Sequence, residues 1–167
     1  MVKVRRILKK GRYITTREGQ VVINLANRMV KEIKPYCKRV MIVGSIRRKE
    51  KNPVDIDIVL IPKDKDKVEE VLKKHGRKIL GGEQKAYFKI QGIEVEIYYT
   101  LSQEWGAALL AYSSKFGASI GLRIIARSKR FKLNQHGLFR KGKRVAGKTE
   151  AEIYKALGRP WKKPEDR

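Results

Sequence analysis

The sequence predicts an α/β (α+β) fold: a small mixed sheet backed by helices, with a smaller lobe following it. Three observations carry this expectation. Short apolar runs bounded by turn residues recur through the first hundred positions, as in "RVMIV", "VDIDIVLI" and "IEVEIYYT". Between them stand stretches whose apolar residues repeat at helical spacing. After Thr100 the chain becomes more basic and its runs shorter, which marks the second lobe. At 167 residues, 41% of them hydrophobic, the chain has enough apolar material for one core or for two small lobes.

The elements follow in order. The first dozen residues are basic and show no clear period. "TTREGQVVINLANRMVKEIKPYC" reads as a helix, with Val22, Leu25, Met29 and Ile33 forming one stripe. Thr15 and Glu18 have capping-box spacing, and Pro35 ends the helix. Arg39–Val43 is a strand closed by Gly44-Ser45, and Val54–Ile61 is a second strand. "KDKVEEVLKKHG" is a short helix with Val68, Val71 and Leu72 inward and Gly76 as the residue past its end. "KAYFKI" and "IEVEIYYT", separated only by Gln91-Gly92, read as a β-hairpin. Beyond Thr100, "SQEWGAALLAY" and "ASIGLRIIARSKR" are helical. In the latter, Arg123, Arg127 and Arg130 share a stripe while Leu122 and Ile125 face inward. "FKLNQHGLFRKGKRVAG" gives short strands and tight turns, and "TEAEIYKAL" a last helix before a Pro-rich tail.

Charge narrows the function. There are 41 Lys and Arg against 17 Asp and Glu, a net charge of +24, which implies a polyanionic partner and nucleic acid before membrane. No apolar run reaches the roughly 20 residues of a membrane span, and "MVKVRRILKKGRY" lacks a secretory apolar core. The single Cys37 excludes an internal disulfide and suits a reducing compartment as a packed, inert thiol. An intracellular protein, not secreted, is expected.

The chemistry gathers around Val43–Ile61. Asp55 and Asp57, two apart in a strand, would point the same way with Cα atoms about 6.5–7 Å apart. Two such carboxylates repel each other, and a hard divalent cation relieves the repulsion. A pair of ions roughly 3.5–4 Å apart is the clamp used on attacking and leaving oxygens in phosphoryl transfer. A third carboxylate is wanted, and Glu94 and Glu96 on the second hairpin strand are both candidates. Gly44 lets backbone N–H groups approach an anion, Ser45 adds a hydroxyl, and Arg47 and Arg48 follow, a nest suited to a triphosphate tail.

The order of these parts resembles the nucleotidyltransferase fold. The rest of the chain resembles family X DNA polymerases in particular. "VGSIRRKEKNPVDIDIVL" is similar to that family's G-S-x-R-R…D-x-D palm motif. "LRIIARSKRFKLNQHGLF" resembles its thumb segment, and "TEAEIYKALGRPWKKPEDR" its C-terminus, so the likeness covers roughly residues 16–167. It implies a palm over residues 1–101 and a nucleotide- and DNA-binding thumb over 102–167. Asp55 and Asp57 would be ligands of both metals, with Glu96 the third carboxylate and proton acceptor from the primer 3′-hydroxyl. Gly44, Ser45 and Arg48 would hold the β- and γ-phosphates. Tyr112 would lie beneath the sugar, with Ser119 also on the nucleotide, and Arg123 would probe the template strand. The implied cofactors are two Mg²⁺ ions, with Mn²⁺ able to substitute. The implied partners are primed or gapped duplex DNA and a dNTP, with no membrane and a monomeric protein.

The sequence departs from the family in three ways. Glu96 stands where an aspartate is usual, Ala111 and Ser114 replace an aromatic and a glycine of the nucleotide-binding turn, and the Gly-Ser motif arrives at residue 44, so the lyase and fingers lobes are expected to be missing. The expected function is template-directed, gap-filling DNA synthesis in repair. A template-independent nucleotidyltransferase and a catalytically impaired nucleic-acid-binding relative are the alternatives. DNA grip is expected from Lys3, Arg5, Arg6, Lys9 and Lys10 at the N-terminus and from Arg127, Lys129, Arg130 and Lys132 in the thumb. His75 and His136 read as helix-end and turn residues, Trp105 and Trp161 as packing anchors, and Tyr98 and Tyr99 as one core and one surface residue.

Overall fold

The computed structural model describes residues 4–9 and 12–167, with side chains from Arg17 onward. The chain divides into two compact units, residues 1–99 and 100–167. Among the described residues no helix is long and apolar enough to cross a membrane.

The first unit is organised by one mixed five-stranded sheet, in the order β3 (Cys37–Ile42), β4 (Ile56–Pro62), β7 (Ile93–Tyr99), β6 (Lys85–Ile90) and β5 (Gly76–Gly81). Only β4 and β7 run parallel. Alternation sends Ile56, Ile58 and Leu60 of β4, Val95 and Ile97 of β7 and Phe88 and Ile90 of β6 to one face. That face forms a core with Val22, Leu25, Ala26, Met29 and Ile33 of α1 (Gly19–Ile33) and Val68 and Leu72 of α3 (Lys65–His75). The opposite face carries Asp57, Tyr87, Glu94, Glu96 and Tyr98, with Val59 and Ile61 of β4 also buried on it. A separate hairpin, β1 (Val4–Lys9) with β2 (Arg12–Arg17), precedes α1 in the region read as aperiodic.

Several local expectations change. Thr15 pairs with Arg6 inside the β1–β2 hairpin and so cannot cap α1. Glu18 takes the cap position with no side-chain capping bond, its carbonyl accepting from the N–H groups of Val21 and Val22 at 3.0 and 3.2 Å. Pro35 does end the helix, inside a 3-10 turn over Lys34–Tyr36. The cap that was missed is Asp64, whose Oδ1 accepts from the Lys67 N–H at 3.0 Å. Gly76 is no left-handed terminator; its φ is −176°, and it opens β5, a strand absent from the sequence reading. The β6–β7 hairpin stands as expected, with Gln91 and Gly92 at φ 52° and 77°, both left-handed as a two-residue turn requires.

The second unit packs α4 (Trp105–Ser113), α5 (Phe116–Ser128) and α6 (Glu150–Ala156) with a three-stranded sheet of β8 (Lys132–Asn134), β9 (Gly137–Arg140) and β10 (Lys143–Ala146). Ala107, Leu110, Ala126, Leu138, Ile153, Tyr154 and Leu157 form its core, with Leu122 and Ile125 packed against it. The first N–H groups of α4 would otherwise lack partners, and the carbonyls of Lys148 and Gly147 accept from Gly106 and Ala107 at 3.1 and 3.0 Å. This docks α4 on the strand of backbone that leads to Thr149, whose Oγ1 caps α6 by accepting from Glu152 N–H at 3.1 Å. Trp105 is a buried anchor as expected, but Trp161 is 45% exposed with the Arg167 guanidinium beside its ring. Arg130 lies beyond the end of α5 and leaves the stripe of Arg123 and Arg127.

Two tests follow from this packing. A Cβ at Gly106 would collide with the backbone of Thr149, which has no flexible end to give way. Gly106→Ala is expected to lower unfolding free energy by about 1–3 kcal/mol, read from the urea midpoint of the second unit. Cys37, buried at the start of β3 with its Sγ donating to the Ile33 carbonyl at 3.3 Å, has its thiol pushed up to about 11 by burial. The folded state therefore favours the neutral thiol. That contribution is full below the ordinary value of 9.0 and is lost as pH climbs through about 11. Urea midpoints measured across this window should fall more steeply for the wild type than for Cys37→Ala.

Candidate active site

The register of two parallel strands builds the acidic cluster. Asp57 of β4 stands directly opposite Glu96 of β7, both on the face away from the helices. Neighbouring strands lie about 4.8 Å apart, so two carboxylates face each other across one strand spacing. Antiparallel pairing of β6 then sets Tyr87 opposite Glu96 and Lys89 opposite Glu94. Tyr98, two residues beyond Glu96 on the same face, donates its hydroxyl to Glu96 Oε2 and reaches Asp57 Oδ1 at 3.4 Å. Tyr87 reaches Glu94 Oε2 at 3.4 Å. Burial, then the hydrogen bond and charge of Glu96, hold the Tyr87 phenol well above its usual range, so it stays a neutral donor. Of the two candidate third carboxylates, Glu96 is the one in register with Asp57.

Asp55 differs from its expected place. The strand begins at Ile56, and Asp55 occupies a bend just before it, two residues after Pro53. Of the two aspartates, Asp57 is the one fixed by the β4–β7 ladder. Among the described residues no three Asp, Glu, His or Cys side chains converge as a ready metal cage.

The Gly-Ser turn is pressed onto this cluster. Strand β3 runs antiparallel to β4, so its end arrives where β4 begins. Ile42 pairs with Ile58, and Val43 N–H donates to the Asp57 carbonyl at 2.8 Å. Gly44 sits at φ +63°, and a Cβ there would fall inside the Asp57 carboxylate, so only glycine fits. It opens α2 (Gly44–Arg47), a single helical turn. The Ser45 hydroxyl is buried with no hydrogen-bond partner. Arg48 closes on Glu50 Oε1 through Nε at 3.0 Å and Nη2 at 2.8 Å. Thus Gly44, Ser45, Asp57 and Glu96 are assembled together, with Arg48 beside them and paired.

In the second unit the bases of α4 and α5 enclose a small hollow lined in part by Ala111, Ser114, Ser119, Leu122, Arg123 and Asn134. Ser119 and Arg123 are thus brought together, while Tyr112, half-buried on the last turn of α4, does not line the hollow. Arg127, Lys129, Arg130 and Lys132 are all exposed. Of the N-terminal basic residues expected to grip DNA, Lys3 and Lys10, and the side chains of Arg5, Arg6 and Lys9, lie outside the described residues.

The residue the sequence reading missed is Tyr98. Its signal was available: it is two residues from Glu96 in the same strand. Tyr87 could likewise be placed, because a two-residue hairpin at Gln91-Gly92 sets it across from Glu96.

Comparison with known proteins bears on both units. Residues 118–167 match the family described as DNA polymerase beta thumb. Two viral proteins named "Repair DNA polymerase X", from a Kenyan pig isolate and a South African tick isolate of African swine fever virus, are each 30% identical to the chain over 172 aligned positions. Each match covers 92% of this chain and 99% of the viral protein. A thumb match at one end and a likeness that runs through the acidic strands to the other have one explanation: the chain belongs to the family X DNA polymerases.

Proposed function

We propose that this DNA polymerase performs template-directed addition of dNTPs to a primer 3′-hydroxyl, filling gaps in DNA repair, inside the cell and as a monomer. The observation that supports the reading best is the pairing of Asp57 with Glu96 beside a Gly-Ser turn whose serine hydroxyl is buried without a partner. The donor set is oxygen only, two of its carboxylates are held side by side by strand register, and Asp55 stands at the mouth of the same strand. Hard divalent cations take such donors. Asp55, Asp57 and Glu96 would hold two Mg²⁺ or Mn²⁺ ions. Bound there, the ions would supply neutralisation of phosphate charge and polarisation of the reacting oxygens.

The chain's own groups do the rest. Glu96 takes the proton of the 3′-hydroxyl as that oxygen attacks the α-phosphate, and pyrophosphate leaves. The backbone N–H groups after Gly44 and the Ser45 hydroxyl bind the β- and γ-phosphates, and Arg48 joins them by exchanging Glu50 for phosphate. Tyr98 keeps Glu96 and Asp57 from splaying apart while they wait for substrate. Ser119 and Arg123 position nucleotide and template from the second unit, and Tyr112 supports the sugar.

Asp57→Asn keeps the shape of the side chain and removes its charge. Primer extension on a one-nucleotide gap should fall by roughly 10²–10³-fold while the affinity for the gapped duplex stays within about twofold; retained extension sinks the assignment. Gly44→Ala tests the turn. It should push Asp57 off its position, raising the dNTP KM and lowering kcat, about tenfold or more in kcat/KM, with the far-UV circular dichroism unchanged.

A further inference from the structure

The sheet of the second unit has an outer face with an aromatic ring that no core requires. Leu138 points inward and is fully buried, so Phe139, next along β9, points outward and is half-buried. Register sets Lys132 on one side of Phe139 and Arg144 on the other, all on the outer face. The Arg144 guanidinium lies 5.4 Å from the Phe139 ring centre. Beside the ring runs a groove lined by Phe131, Phe139 and Asn134 and rimmed by Arg130, Lys132 and Lys141.

Two of the rim cations are presented at a local cost. Arg130 stands where a helix customarily ends on glycine. Its N–H donates to the Arg127 carbonyl at 2.9 Å, the Phe131 N–H to the Ala126 carbonyl at 2.8 Å, and its φ is +63°. Lys141 stands at the first position of the β9–β10 turn with φ +48°, followed by Gly142 at +76°, where Asn, Asp or Gly is preferred. Side chains rarely tolerate this backbone region. Lys49 and Gln91 adopt it too, so strain alone marks no site; at Arg130 and Lys141 it places a cation on the rim of one groove.

We infer that this groove binds an unpaired stretch of a DNA strand, with one base stacked on Phe139 and the flanking phosphates held by Arg130, Lys132 and Lys141. A cationic channel with an aromatic platform is how single strands are held without reading sequence. In the proposed function the occupant is the unpaired template, so the inference deepens that reading and rests on its DNA binding.

The test measures dissociation constants by fluorescence anisotropy, without nucleotide, for two probes. One is a blunt duplex, and the other is the same duplex carrying a 5′ oligothymidylate extension on the template strand. The wild type should prefer the extended probe. Phe139→Leu, which keeps an apolar side chain, should reduce that preference about five- to tenfold. Arg130→Gly and Lys141→Asn should each reduce it severalfold and flatten its log–log salt slope by about 0.7, while the melting temperature rises by about 2–4 °C or holds. An undiminished preference in Phe139→Leu and Lys141→Asn overturns the inference, as does equal weakening on both probes. Because no nucleotide is present, binding and synthesis separate: a wild type that prefers the extension but never extends a primer refutes the polymerase mechanism and leaves the groove standing.

Discussion

The parallel pairing of β4 with β7 is the constraint on which the first unit depends. In a hairpin, chain connectivity decides which residues meet; here two strands separated by a helix and two further strands must find one register. That register sets Asp57 against Glu96, a like-charge pair that an ordinary sheet would avoid. A slip of one residue in either strand would turn its carboxylate into the core and its isoleucine, Ile58 or Ile97, out of it, so the apolar face enforces the acidic one. The buried isoleucines are thus what hold the chemistry in place. The tyrosine hydroxyls of Tyr98 and Tyr87 then make the pair tolerable, as neutral donors that add no counter-charge for a cation to displace.

The second unit solves a different problem with little material. Its core is small, and α4 is secured by giving its first N–H groups to the carbonyls of residues 147 and 148 in place of a side-chain cap. The same contact brings the backbone close enough that Gly106 cannot carry a side chain. Arg167 ties the chain's last residue back, its Nη1 on Glu150 at 2.8 Å and its Nε on the Lys162 carbonyl at 3.0 Å. With its elements so fixed, the unit exposes Arg127, Lys129, Arg130 and Lys132, and beside them apolar Phe116 and Ile124.

Much of this was legible in the residues. Periodicity located α1, α3 and the β6–β7 hairpin because each has a single buried face and clear punctuation, and the spacing of Gly44, Ser45, Asp55 and Asp57 pointed to the acidic strand. The failures share a cause: local signals were outbid by pairing partners distant in sequence. Thr15 looked like a cap until β1 claimed it, and Gly76 looked like a terminator until Lys89 and Ile90 drew it into a strand. Asp55 stands just before the strand, whose register with β7 begins at Ile56. The choice between Glu94 and Glu96 depends on the offset between two strands that never adjoin in sequence, and only the fold supplies that offset. Tyr98 and Tyr99 read as one surface and one core residue between them; both are half-buried, Tyr99 against the core and Tyr98 on Glu96, and alternation separates inside from outside but not one polar neighbour from another.

The contact between Gly44 and Asp57 has a mechanical consequence. The turn is bonded to the strand through Val43 N–H and the Asp57 carbonyl, and packed against its carboxylate with no gap for even a methyl group. The distance between the turn and the strand therefore carries almost no slack. If the turn holds a triphosphate tail and the strand its metals, as proposed, the alignment of tail and reacting end is set once, when the sheet folds, and not renegotiated at each turnover.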